Sequence, residues 1–191
     1  IVPILRYWYN KPLICIDNQH RLTNLEIDVP KKYYNDYLLA KGVTDAFVKR
    51  ADYFIVTSFA EVPIKKECKK NTFIVAPIIR EVVKIAEDKA KYGNKILVYL
   101  TKKNKSLLKV LNKINEDFVV YGYNKTKKVG NLEFKIKDSF LEDLVNCKAV
   151  IATAGFTLMS EAIYLKKPYF ALPLVGQFEQ TLNALFLKKA G

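Results

Sequence analysis

The chain has 191 residues, half of them apolar and 27% charged, with a formal net charge of +13. That apolar content can bury a core in one large domain or two small ones, and no apolar run approaches the roughly 20 residues a membrane-spanning helix needs. Three dispersed cysteines, Cys15, Cys68 and Cys147, with only His20 to join them, argue against a disulfide framework or a zinc site and for a reducing compartment, so no metal is expected.

Read in chain order, short β-branched runs bounded by turn formers predict buried strands, with amphipathic stretches between them predicting helices. Strands are expected at 12–16 (PLICI), 53–57 (YFIVT) and 72–75 (TFIV), with a helix over 29–41 between the first two. Further strands follow at 95–100 (KILVYL), 118–121 (FVVY), 132–134, 149–153 (AVIAT) and 169–172 (YFAL). Helices are expected over 80–92, 103–115, 139–146, 156–165 and 178–189. Strand and helix alternate without recognisable hairpin turns, the grammar of a doubly wound α/β fold with parallel sheets. Ser139 followed by Glu142 reads as a capping box that starts a helix after the loop 135–138. The stretch APIIR, at Pro77, reads as the hinge between two domains. The chain opens at Ile1 without methionine, and Gly191 follows a basic helix end, so an excerpt of a longer protein is expected.

The positive charge suits nucleic acid, anionic lipid or phosphorylated substrates equally. The lysines, however, are spread among Ile, Leu and Tyr as a solvated surface would have them, and a heat-adapted or AT-rich source would produce the same bias.

The stretch ATAGFTLMSEAIYLKKP is more specific. A strand ends at a glycine, Gly155, and a helix begins at once, so uncovered backbone N–H groups of Phe156 and Thr157 face the region beyond the strand. Glu161, one and a half turns later, is an acceptor-only fork suited to two adjacent hydroxyls such as a ribose diol, although a glutamate on a helix is ordinarily just solvated. The next segment, ALPLVGQFEQTLNALFL, places Glu179, Gln180 and Asn183 on the first turns of another helix after a strand, expected at the same sheet edge and able to select among sugar hydroxyls.

Together these runs, from AVIATAG to the C-terminal KKAG, resemble the donor-binding region of GT-B glycosyltransferases, above all the family of the bacterial GlcNAc transferase of peptidoglycan-precursor synthesis and its archaeal relatives. APIIR resembles that family's interdomain linker, and PLICIDNQHRLTN resembles a late strand and loop of its acceptor domain. The resemblance implies an α/β fold of GT-B type, with two Rossmann-like doubly wound parallel-sheet domains present as a fragment. Residues 1–76 would be the C-terminal part of the acceptor-side domain, and 77–191 the donor-binding domain without its last segment.

By the same resemblance, Gly155, Phe156 and Thr157 face the donor diphosphate, Thr101 nears it from the first loop of that domain, and Glu161 holds the ribose. Glu179, Gln180 and Asn183 contact the transferred sugar, while the loop 135–138, with Lys137, passes over the base. Where the bacterial enzyme has Arg-Ser before the glycine, this chain has Thr153-Ala154, and Lys102 or Lys103 would replace the missing arginine. The family's Gly-rich loop and usual base fall upstream of Ile1. In this chain His20, in the polar loop with Asp17, is therefore the candidate for proton abstraction or for positioning the acceptor.

The implied function is inverting, metal-independent transfer of GlcNAc or another hexose from a UDP-sugar to a glycan or lipid-linked acceptor. It would need no cofactor beyond the donor and no nucleic acid, and would take place in the cytoplasm, at the inner face of the membrane where the acceptor is lipid-linked. Two alternatives stay open: a nucleotide-sugar 2-epimerase of the same architecture, and a basic nucleic-acid-binding α/β protein, although no RNP-like aromatic strand is present.

Overall fold

The computed structural model describes residues 8–48, 51–88, 90–91 and 93–190. The chain forms two compact units, one from the residues up to Ile78 together with those from Val175 onward, the other from Ile79 to Leu174.

The first unit contains a three-stranded parallel sheet in the order β1 (Ile14–Asp17), β2 (Tyr53–Thr57), β3 (Thr72–Val75). A short helix α1 (Arg21–Asn24) and a long helix α2 (Tyr34–Val48) separate β1 from β2. Side chains alternate across a strand, so Cys15, Phe54, Val56 and Ile74 fall on one face, and they join Leu22 and Leu25 in a core. Ile14, Ile16, Tyr53, Phe73 and Val75 fall on the other face, where each stays more than a third exposed. Parallel sheets are ordinarily covered on both sides; among the described residues this one is covered on one.

The last helix, α7 (Phe178–Ala190), completes that core with Phe178, Leu182 and Phe186. Each such apolar side chain stabilises by about 1.5–3 kcal/mol when removed from water. Tyr37 of α2 meets Phe178 at 5.4 Å between ring centroids. The sequence reading grouped everything from 77 to 191 in one domain. The structure differs because the apolar stripe 178–182–186 of α7 is buried against the first unit's sheet and α2.

The second unit is built on a six-stranded sheet. Its strands are β4 (Ile96–Tyr99), β5 (Phe118–Tyr121), β6 (Lys127–Val129), β7 (Leu132–Phe134), β8 (Ala149–Thr153) and β9 (Tyr169–Leu172). Their order is β6-β7-β5-β4-β8-β9, all parallel except β6, which pairs antiparallel with β7. The chain therefore starts in the middle at β4, winds outward through β5 and β7, then returns to β4's other side for β8 and β9, as a doubly wound sheet does. Helices α3 (Glu81–Glu87), α5 (Phe140–Asn146) and α6 (Phe156–Tyr164) cover one face through Val83, Leu144, Val145 and Ala162, which pack on Leu97, Val119 and Val150. Helix α4 (Lys105–Leu111) covers the other through Leu107, Leu108 and Leu111, on Val98, Phe118 and Val120. The uninterrupted apolar runs FVVY and ILVY thus belong to strands buried on both faces.

Three local expectations are corrected. The pair β6–β7 is a hairpin, turned at Gly130-Asn131 with Gly130 at φ 59°; Lys127 and Lys128, exposed and without apolar alternation, hid the short edge strand. Ser139 caps α5 by position only, without a side-chain hydrogen bond to the helix; its hydroxyl lies 3.4 Å from the Tyr121 hydroxyl oxygen. The helix expected over 29–41 begins at Tyr34, after a 3-10 turn at Lys31–Tyr33, and continues past Gly42 to Val48. Part of the helix expected over 80–92, at residues 89 and 92, lies outside the described residues.

Gly122, directly after β5, is at φ +91°, and a Cβ there would lie 2.1 Å from the Leu100 carbonyl oxygen. Neither the backbone conformation nor the contact tolerates a side chain. Gly122→Ala is expected to destabilise the second unit by about 2 kcal/mol or more, read as a lower urea midpoint by circular dichroism; an unchanged midpoint would contradict the tight approach of the β4 and β5 loops.

Candidate functional site

In a doubly wound sheet the loops at the carboxyl ends of the strands part where the winding reverses, and ligands bind there. In the second unit the reversal falls between β4 and β8. The loop after β4 carries Thr101, and β8 ends at Thr153, two residues before Gly155; their hydroxyls meet at 3.3 Å. Gly155 is the residue before α6 at φ −73° and ψ 134°, and it offers no side chain to cap the helix. Phe156 is half-buried, and Thr157 is exposed in the first turn.

A cavity of about 410 Å³ adjoins this helix start. Its walls include the rings of Tyr99, Tyr121 and Phe140 together with Leu158. Phe140 stands edge-on to both tyrosines, at 5.5 and 5.0 Å, an arrangement that fixes the rings' orientation. Lys135, Ile136 and Lys137, three residues of the loop expected over the base, also line it, as do Thr157 and Glu161. Asn124 lines it as well, from the loop after β5 and in the left-handed conformation at φ 49°.

Glu161 is 1% exposed, and its carboxylate is engaged by Arg80, whose Nε donates to Oε1 at 2.6 Å and whose Nη2 donates to Oε2 at 2.9 Å. The Arg80 side chain itself is 53% exposed and lines the same cavity. The hydrogen bond to Glu161 raises the Arg80 pKa above its ordinary value. A buried carboxylate requires such a partner, and a bidentate fork leaves about half of its lone-pair positions open. Arg80 lies in the linker-like stretch APIIR, and its only local signal is its place directly before a helix; its partner Glu161 is 81 positions away.

Lys135 is less available than it looks in sequence. Its ammonium donates to both oxygens of Asp143, at 3.1 and 2.8 Å. Tyr121 donates its hydroxyl to the same carboxylate; burial first, and then this hydrogen bond, raise the phenol's pKa. Lys137, exposed, makes no ion pair among the described residues. The cavity therefore combines flat aromatic surface with two presented cations, Arg80 and Lys137, and a helix N-terminus, a combination that accepts an anionic ligand bearing a planar ring.

The remaining expected residues lie in the first unit. Asp17 ends β1, and its Oδ1 accepts from the backbone N–H groups of Gln19 and His20, both at 2.9 Å. Its Oδ2 lies 2.7 Å from His20 Nδ1 and accepts from the Cys15 thiol at 3.1 Å. Burial pushes the Asp17 pKa up, but these hydrogen bonds outweigh it and bring it down to about 2. The His20 ring is 3% exposed and packs against Phe54 at 4.5 Å.

Glu179, Gln180 and Asn183 stand on α7, in the first unit, whereas Gly155 belongs to the second. Glu179 accepts from Asn18 Nδ2 at 2.9 Å, and Gln180 donates to Gln177 Oε1 at 2.6 Å. Asn183 is wholly buried and accepts from Arg21 Nη2 at 2.7 Å. Arg21 is itself fully buried, and burial lowers its pKa to about 10 against the opposing charges of Glu179 and Asp17. A direct sugar contact does not fit Asn183: its amide ties α7 to the loop after β1, because a buried guanidinium demands an acceptor there.

Arg80→Ala strands the Glu161 carboxylate and is expected to destabilise the second unit by about 1–3 kcal/mol. Most of that loss should return in Arg80→Ala/Glu161→Gln, which leaves no orphaned charge; a double variant as unstable as the sum of the single ones, in urea titrations, would contradict the pairing.

A family model described as Glycosyl transferase family 1 matches residues 4–191. No curated protein matches the chain. Among solved structures, the chain is similar to the glycosyltransferase SnogD from Streptomyces nogalater, at 10% identity and a TM-score of 0.40 over 94% of this chain and 89% of that one, a likeness too slight to carry any statement about this chain. With a family match over nearly its whole length, the chain belongs to Glycosyl transferase family 1 and is a glycosyltransferase.

Proposed function

We propose that this glycosyltransferase is of GT-B type, binds a UDP-hexose in the cavity of the second unit, and transfers the hexose with inversion to a glycan or lipid-linked acceptor. The observation that carries this reading is the cavity itself: aromatic walls, the cations Arg80 and Lys137, and the start of α6 adjoin one another. A uracil ring matches the aromatic walls, and the diphosphate matches the cations and helix N–H groups. The positions on Glu161 that Arg80 leaves open suit the ribose hydroxyls. The sequence likeness to the peptidoglycan-precursor GlcNAc transferase and its relatives favours GlcNAc as the hexose.

In the proposed reaction the acceptor oxygen forms a bond to the anomeric carbon as the bond from that carbon to the diphosphate oxygen breaks. The acceptor proton passes to His20, whose Nδ1 is held by Asp17 so that Nε2 serves as base. The leaving diphosphate gains its countercharge from Arg80, Lys137 and the α6 amides. No helix among the described residues is long and apolar enough to cross a membrane. The net charge of +13 supports a meeting with an anionic, cytoplasmic membrane surface when the acceptor is lipid-linked.

UDP is expected to raise the thermal midpoint more than GDP, ADP or dTDP, with a stabilisation of about 2.7 kcal/mol at one hundred times its dissociation constant. Gly155→Ala separates fold from site. Nothing lies within 4 Å of a Cβ there, so intrinsic stability should change by less than about 0.5 kcal/mol while the UDP shift shrinks. Equal shifts from all four nucleotides, or none, would overturn the donor assignment. His20→Ala should lower kcat by about 10²–10⁴-fold with donor KM unchanged; an effect confined to acceptor KM would contradict its role as base.

A further inference from the structure

The loop after β1 gathers a set of side chains whose chemistry exceeds what proton transfer needs. Cys15 Sγ, Asp17 Oδ2 and His20 Nδ1 all lie within 4.8 Å of one another. Thiol and carboxylate are 3.1 Å apart, carboxylate and imidazole 2.7 Å, thiol and imidazole 3.8 Å. Zinc bonds of about 2.3 Å to sulfur and about 2.0 Å to nitrogen or oxygen, at tetrahedral angles, set the donors of one ion roughly 3.2–3.7 Å apart. The carboxylate–imidazole pair would have to open by about half an ångström, and the two distances to the thiol would have to adjust by a few tenths, on the same reckoning.

The local sequence builds this triangle. Cys15 and Asp17 alternate with Ile16 along β1 and so emerge on one face. The Asp17 carboxylate then draws the backbone N–H groups of Gln19 and His20 onto Oδ1, curling the chain so that the imidazole returns over the strand. That leaves Oδ2 aimed at the other two donors, the outer-shell orientation that metal-binding carboxylates ordinarily have. Contact with Phe54 holds the His20 ring. The half-buried Cys15 and Asp17 keep one side of the triangle accessible, where water could complete a tetrahedron.

We propose that Cys15, Asp17 and His20 form a three-ligand site for zinc or a similarly soft divalent cation, with a fourth position open. Sulfur, nitrogen and oxygen donors in this combination select zinc over magnesium or calcium. Binding expels one proton to solvent, from the thiol, while the Nδ1 proton that faced Asp17 moves to Nε2, so the imidazole stays neutral and no oxidation state changes. Metal and the Asp17–His20 hydrogen bond are therefore mutually exclusive. Provided the assignment of His20 as base is right, zinc silences transfer by occupying the atoms that orient the imidazole.

The test is titration of the reduced, chelator-treated protein with cobalt(II) as a spectroscopic stand-in for zinc. A thiolate-to-cobalt charge-transfer band with the intense visible bands of a tetrahedral site should appear at one equivalent and vanish on adding zinc. Cys15→Ser should lose the charge-transfer band, Cys68→Ser should keep it, and His20→Ala should bind cobalt about tenfold or more weakly. An unchanged far-ultraviolet circular dichroism spectrum and urea midpoint for each variant show that it is folded. No band at cobalt excess, or an unchanged band in Cys15→Ser, overturns the site. If the wild-type band forms and transfer nonetheless proceeds at its full rate with zinc bound, the site stands, and it is the role of His20 as base that falls.

Discussion

The architecture of the second unit depends on one constraint of parallel sheets: every strand delivers its carboxyl end to the same edge, so a reversal of winding leaves adjacent loops nothing to pair with. Here the reversal lies between β4 and β8. The start of α6 follows β8 directly, and the loops after β5 and β7 complete the wall, since β5 neighbours β4 and β7 neighbours β5. Gly122 at its positive φ lets the β5 loop pass against Leu100. The cavity is thus a consequence of strand order before it is a consequence of any particular side chain.

Buried charge supplies the second organising rule in both units. Glu161 in the second unit and Arg21 in the first are each almost wholly removed from water. Each is matched by an oriented partner, Arg80 for the first and Asn183 for the second. The consequences differ. Arg80 reaches outward and carries its positive charge to the cavity, so the pair presents a cation held in place by a hidden carboxylate. The Arg21–Asn183 contact is sealed, and it fastens α7 to the loop that also holds Asp17 and His20. Pairing keeps a buried charge tolerable in either case; only the first exposes chemistry to a ligand.

Strands such as YFIVT, FVVY, AVIAT and YFAL were legible in the sequence because continuous β-branched runs have no other stable use in a chain of this length. The glycine between AVIAT and FTLMSEAIYL marked the helix start for the same reason. What escaped was long-range. Whether the apolar stripe of α7 covers one sheet or another depends on which surface lies bare, and local periodicity does not record that. The partner of Glu161 is 81 positions away, beyond any spacing rule, and the aromatic walls come from Tyr99, Tyr121 and Phe140, each of which read as ordinary core. The hairpin at Gly130 was hidden because β6 is an exposed, lysine-rich edge strand with no apolar alternation.

The proposed donor site is the second unit's cavity, lined by Arg80, Tyr121 and Lys137. Mapping backbone amide chemical shifts during a UDP titration tests it most directly. The largest changes are expected on Gly122, Lys137, Thr157 and Leu158, around one aromatic and cationic wall. Changes confined to the loop after β1, or scattered over exposed lysines in proportion to charge alone, would contradict it.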